Sequence, residues 1–294
     1  MKLPICFIVS CFIITICLGQ ADSSSKTVAL DSTRLDSAKA KSTLTAGITA
    51  CNNADYYGQR AQESLPYVAA AATYRFGFGL YFTGMAYRLL HDTTHAISAE
   101  NIGVGTALKF SEKLSADLSY SHTFYPGFSP FLQAANPDNA TVSLTYENWL
   151  SSTASADYAF GKSTDMFVTV GTGKTINLGS IGKKDVITFT PSFDVVGGTQ
   201  HFYQTYLTEK RLQDSLLGIL LPPLTGDQVP GSSNFTKTIT QFNVLSYNLK
   251  LPVAYNRAGY LFEVQYQVSL LSDKAETGAG KINSFLSVSF YYQF

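Results

Sequence analysis

From Ile282 to the C-terminal Phe294 the chain alternates between two kinds of residue. Ile282, Leu286, Val288, Phe290, Tyr292 and Phe294 fall on one side of an extended backbone, with Ser284 the exception. Asn283, Ser287, Ser289 and Gln293 fall on the other, interrupted by Phe285 and Tyr291. Successive side chains of a strand point to opposite faces, so this stretch reads as a strand with one apolar face. Chain ends are ordinarily polar and frayed unless something holds them. A strand that keeps its pattern to the last residue is therefore expected to be paired.

The same period recurs through most of the chain. Leu44, Ala46, Ile48 and Ala50 alternate with threonines and glycine, and Val68, Ala70, Ala72, Tyr74 and Phe76 alternate with Ala69, Ala71, Thr73 and Arg75. Tyr81, Met85, Tyr87 and Leu89 form a weaker third apolar face. The clearest cases are 113–124 and 259–270, and weaker ones occupy 101–110, 139–148, 152–160, 164–174, 185–197 and 240–253. With the tail, about twelve strands are expected.

The opening "MKLPICFIVSCFIITICLGQ" puts a lysine ahead of an apolar run that ends at the small residue Gly19. The run is short for the ~20 residues of a membrane-crossing helix and has the layout of a secretory signal peptide. Residues 1–19 are therefore expected to be cleaved, and the polar, alanine-rich 20–42 to form a flexible periplasmic leader. Cys6, Cys11 and Cys17 would leave with the signal. Cys51 alone would remain, so a disulfide framework or a cysteine metal site within one chain is excluded. Basic and acidic residues cancel at 21 each, which removes the electrostatic footprint of a nucleic-acid binder.

An alternating chain must bury its apolar face. A soluble sandwich would bury it against a second sheet. A transmembrane barrel would turn it to lipid, turn the polar face to a lumen, and close so that no strand edge is left unpaired. Strands of ten to twelve residues exceed the usual length of about five or six and suit a tilted crossing. Aromatics gather at strand ends ("FYP", "YRF", "FYYQF"), and charged residues make up 14% of the chain against about 25% for an ordinary soluble domain. Long and tight connections mostly alternate from Leu44 onward, as the two ends of a membrane barrel require; "GKS" (161–163) and "TINLGSIGKK" (175–184) depart from this. The expected fold is all-β: an antiparallel transmembrane β-barrel over 43–294.

The tail "LSVSFYYQF" resembles the C-terminal signature of Gram-negative outer-membrane β-barrel proteins. Stretches such as "LPYVAAAATYRFGFGLYFTGMAYRLL" and "GTQHFYQTYLTEK" look like those of members whose function is unassigned. The resemblance covers about 44–294 and implies an outer-membrane location. It also implies that Phe290, Tyr292 and Phe294 form a signal read by the barrel-assembly machinery. Outer-membrane lipid is the implied surroundings; the resemblance does not identify an activity, and a small solute or a surface partner is the further expectation, with no nucleic acid.

Chemistry-bearing motifs are few. "VGTGKT" (170–175) lacks the first glycine of a phosphate loop, Val168 standing there, and reads as a strand end. His91, Asp92 and His95 share an outer loop and read as solvated. Outer-membrane phospholipases use a Ser and a His two residues apart on one strand. Ser121 and His122 are adjacent, hence on opposite faces, and cannot form that pair. No enzyme activity, cofactor or metal is expected. The inward faces are expected to carry Arg75, Arg88, Lys109, Asp117, Glu147, Asp157, Asp194 and Glu263, near balance in sign, which fits a polar conduit or a salt-bridged interior. The 198–238 connection contains a leucine-rich stretch, 207–221, that is expected to cover the extracellular mouth. A pore or small-solute channel is the leading function; a structural or surface-interaction barrel is the alternative, and a hydrolase the third.

Overall fold

In a computed structural model the described residues are 41–61, 63–127, 129–131, 133–201, 241–275 and 278–294; the expected signal peptide, the leader up to residue 40, and most of the 198–238 connection lie outside them. The strands are β1 (Thr43–Cys51), β2 (Tyr67–Arg75), β3 (Leu80–Leu89), β4 (Ala99–Lys109), β5 (Leu114–Phe124), β6 (Asp138–Glu147), β7 (Ser151–Phe160), β8 (Thr164–Gly173), β9 (Ile176–Gly179), β10 (Asp185–Phe189), β11 (Ser192–Gly198), β12 (Asn243–Arg257), β13 (Tyr260–Leu271) and β14 (Ile282–Gln293).

All pairings are antiparallel. Neighbours in sequence pair from β1 to β8, β8 pairs with β11, β11 with β12, and β12 to β14 follow in order. The ring closes where β14 pairs with β1, Gln293 opposite Thr45 and Ser287 opposite Cys51. This is the reason the tail alternates to its end. β14 is held on both edges, and the Phe294 N–H still donates to the Leu44 carbonyl at 2.8 Å. Closure satisfies the backbone groups of every wall strand, which is what allows strands to cross a lipid layer.

Apolar side chains line the outside. Ile48, Phe82, Ile102, Leu118, Val142, Val170, Leu249, Phe262, Leu286 and Phe290 are all exposed, while their neighbours along each strand are turned inward. The chain enters β1 and leaves β14 on the same side of the barrel, the side that also has the tight turns between β2 and β3, β4 and β5, β6 and β7, and β12 and β13; we call this side periplasmic. The turn at 76–79 needs Gly79, whose φ is +102° and whose N–H bonds the Phe76 carbonyl at 2.9 Å.

Three expectations are corrected. The predicted strand 185–197 is two strands, because Thr190 and Pro191 separate β10 from β11. The long periplasmic connection 174–191 is the β9–β10 hairpin, and β10 pairs with Val253–Arg257 of the 15-residue β12. On β3 the apolar face of Tyr81, Met85, Tyr87 and Leu89 is buried inside the barrel, not turned to lipid.

Candidate functional site: the lumen and its first loop

The first extracellular connection, 52–66, does not stand above the barrel. It turns into the lumen and crosses it. Its tip is a two-residue hairpin in which Tyr56 and Gln59 exchange backbone hydrogen bonds, each 2.8 Å. Tyr57 and Gly58 between them have φ of 50° and 83°, the left-handed pair that a type I′ turn requires. Gly58 is needed twice. A Cβ there would meet Asn248 Oδ1 at 2.6 Å and Ser246 Oγ at 2.7 Å.

The far wall grips this tip. Ser246 Oγ on β12 donates to the Tyr57 carbonyl at 2.6 Å, and Asn283 Nδ2 on β14 donates to the Gly58 carbonyl at 2.9 Å. Gln267 Nε2 on β13 donates to Asp55 Oδ2 at 2.7 Å, while the other carboxylate oxygen accepts the Gly58 N–H at 2.9 Å. The Tyr57 ring stacks on Phe167 of β8, centroids 4.0 Å apart, and its hydroxyl lies near the Asp157 carboxylate on β7. Tyr56 meets Phe167 edge-on at 5.6 Å. The third extracellular loop adds Phe131, packed against Tyr87 and Tyr125. Together with Met85, Leu89, Val196 and Leu245 these side chains form one buried apolar cluster inside the extracellular half of the barrel.

The docked tip also carries strain. Tyr57 holds a left-handed backbone without being glycine, at a cost of about 1–2 kcal/mol. The Gln59 side-chain amide is fully buried, and among the described residues neither its nitrogen nor its oxygen is hydrogen-bonded; each such group costs about 1–3 kcal/mol. Burial pushes the Asp55 carboxyl up to about 6, against the pull of nearby Lys250 and the bonds from Gly58 and Gln267.

Below the loop the wall turns polar. Asp157 accepts from Thr141 Oγ1 at 2.6 Å, and Asp194 pairs with Lys250 at 2.5 Å. The Tyr81 hydroxyl donates to Asp117 at 2.7 Å, and the Arg75 guanidinium lies over the Tyr81 ring at 4.7 Å. Glu263, between Ala254 and Ser289 on the neighbouring strands, faces the lumen and is 6% exposed. Lys109 and Glu147 occupy inward register positions at the periplasmic rim, where both are exposed; Glu147 accepts from Ser151 Oγ at 2.8 Å.

Arg88 does not join this set. It alternates with the buried Tyr87 and Leu89, so it points out of the barrel near the extracellular end, where its Nη1 donates to the Ala96 carbonyl at 2.8 Å. Lys250, absent from the sequence-based set, takes its place inside. Among the described residues, Arg75, Lys109 and Lys250 share the inward faces with Asp117, Glu147, Asp157, Asp165, Asp194 and Glu263, and the loop carries Asp55, Arg60 and Glu63. Asp165 lies at the extracellular end, accepting from Thr199, His201 and Asn136, where it ties together the roots of three outer connections. Ser121 is buried inside while His122 faces out and bonds Asp138 at 2.8 Å, on opposite faces as the alternation required.

No family model matches the chain, and no curated protein does. Solved structures similar in overall shape include the KdgM porin, at 8% identity over 86% of this chain and 99% of that one, with a TM-score of 0.46. An outer membrane channel from Pseudomonas putida F1 aligns at 9% identity over 86% and 96%, TM-score 0.46, and a bacterial polysaccharide outer membrane secretin at 9% over 87% and 99%, TM-score 0.45. The chain is an outer-membrane-type β-barrel. That rests on its own closed pairing and apolar exterior, and no activity is carried over from these structures.

The first loop was not foreseen. "NNADYYGQRAQESLP" is mostly polar around its two tyrosines and shows no strand or helix period. The usable signal was Tyr-Tyr-Gly, two aromatics beside a turn-forming glycine in a connection too apolar at its tip for open solvent. The 198–238 connection, expected to cover the mouth, lies mostly outside the described residues.

Proposed function

We propose that the barrel is an outer-membrane channel for small solutes, held closed by its first extracellular loop. The observation that carries this is the loop itself. Its tip spans the lumen and is bonded to β12, β13 and β14, while the wall on its periplasmic side stays polar and charged. A barrel serving only as a surface scaffold has no need of a hydrophilic lumen beneath a plug. The plug is also poised: hydrogen bonds, the Tyr57–Phe167 stack and burial of Tyr56, Tyr57, Ala61 and Leu65 in the apolar cluster hold it, against a left-handed tyrosine, an amide unbonded among the described residues and a buried carboxyl. Such opposing terms suit a segment that docks and undocks.

The continuous apolar cluster in the extracellular half favours a second reading, a permanently sealed structural or surface-interaction barrel. Gly58→Val separates the two. It adds a Cβ against Asn248 and Ser246 and disfavours the left-handed turn, so it should free the tip and leave the wall pairing intact. In liposome swelling with small neutral sugars, the full chain should admit solute slowly and the variant clearly faster. A folded variant no more permeable than the full chain would favour the sealed barrel.

A further inference from the structure

The lumen's acids are not equally neutralised. Asp194 has Lys250 at 2.5 Å, Asp117 has the Tyr81 hydroxyl and faces Arg75, and Asp157 has the Thr141 hydroxyl. Glu263 differs. It is 6% exposed, and it makes no hydrogen bond or ion pair among the described residues. Its strand neighbours on the same face, Leu261 and Gln265, and its cross-strand neighbours, Ala254 and Ser289, bring no positive charge. Ser289 is already engaged with Thr49, their hydroxyls 3.0 Å apart.

A buried carboxylate without a partner is costly until a proton or another positive charge joins it. On a lumen wall that partner can be a passing ion, which is how acidic side chains make pores cation-selective. Of the three inward bases, Lys250 is committed to Asp194 and Arg75 to the Tyr81–Asp117 pair, and Lys109 stands with Glu147 at the exposed periplasmic rim. Past that rim an anion meets no uncommitted positive wall side chain among the described residues and passes an excess of acids. Resting on the channel reading above, we propose that the lumen selects cations, with Glu263 the residue that sets the preference. The solutes it fits are small monovalent cations and compact ammonium-type organic cations, not acidic sugars or phosphates.

The test is the reversal potential across a planar bilayer separating unequal KCl concentrations, measured for the full chain and for Gly58→Val, each alone and combined with Glu263→Gln or Glu263→Asp. Heat-modifiable migration on gels confirms that each variant is folded. Potassium should permeate better than chloride in both backgrounds. Glu263→Gln should lower the permeability ratio by roughly fivefold, the equivalent of ~1 kcal/mol between unit charges in contact across water, and Glu263→Asp should largely retain it. Currents without cation preference, or a ratio that Glu263→Gln leaves unchanged, would overturn the assignment while sparing the channel. No current from any folded form would remove both.

Discussion

Acid should close this channel, and the reason lies in Asp55. In the docked loop its carboxyl is buried, with a pKa of about 6 against an ordinary 3.8; Lys250 and Asp194 are the charged groups around it. Freed into solvent, the loop would return it to the ordinary value. A carboxyl whose pKa is raised in one state binds protons more tightly there, so protonation favours that state. Docking is strongest below about pH 4, weakens as pH rises toward 6, and is constant above. A shift of about two units at 1.36 kcal/mol each makes the docked state about 3 kcal/mol less favourable at pH 7 than in acid. Asp55→Asn imitates the protonated acid. It can still accept the Gly58 N–H, and Gln267 can turn its amide to receive the new donor. Open probability in single-channel records should therefore fall steeply for the full chain between pH 7 and pH 4.5, and should be low and flat with pH for Asp55→Asn. A full chain indifferent to pH, or an Asp55→Asn variant that keeps the dependence, would refute this.

Phe167→Ala removes the ring on which Tyr57 stacks. Truncating a buried Phe costs about 3–5 kcal/mol, so the variant should conduct more readily than the full chain and should unfold at lower urea. Removing Phe294, or replacing it with Asp, should reduce the amount of folded barrel in the outer membrane, as judged by heat-modifiable migration. The barrels that do form should gate normally, because Phe294 lies outside the lumen. An unchanged yield with altered gating would contradict that assembly role.

The wall strands were legible because each has one face against lipid and one against a lumen, and that contrast is written as a period of two. Legibility ended where both faces are covered. On β3, Tyr81, Met85, Tyr87 and Leu89 pack against material inside the barrel. Their apolar period was real, but it could not say which side they faced, and Arg88 was placed inside for the same reason. Lys250 was missed because β12 carries a register irregularity opposite Val196 and Gly197, with Leu245 turned inward beside it, which blurs the alternation before the lysine. Loop 52–66 was illegible for a different reason. Its docking depends on polar groups of β12, β13 and β14, some 190 to 230 residues away, and nothing local announces them.

The central claim is that a conducting lumen lies beneath the first loop. Single-channel recording of the full chain, beside a variant in which 54–64 is replaced by a short Gly/Ser bridge, tests it most directly. The full chain should show low or intermittent current, and the shortened barrel, confirmed as folded, a steady open level well above it. A folded, shortened barrel that stays silent would mean that the lumen is sealed by its own wall, and that the loop is part of a structural core and not a gate.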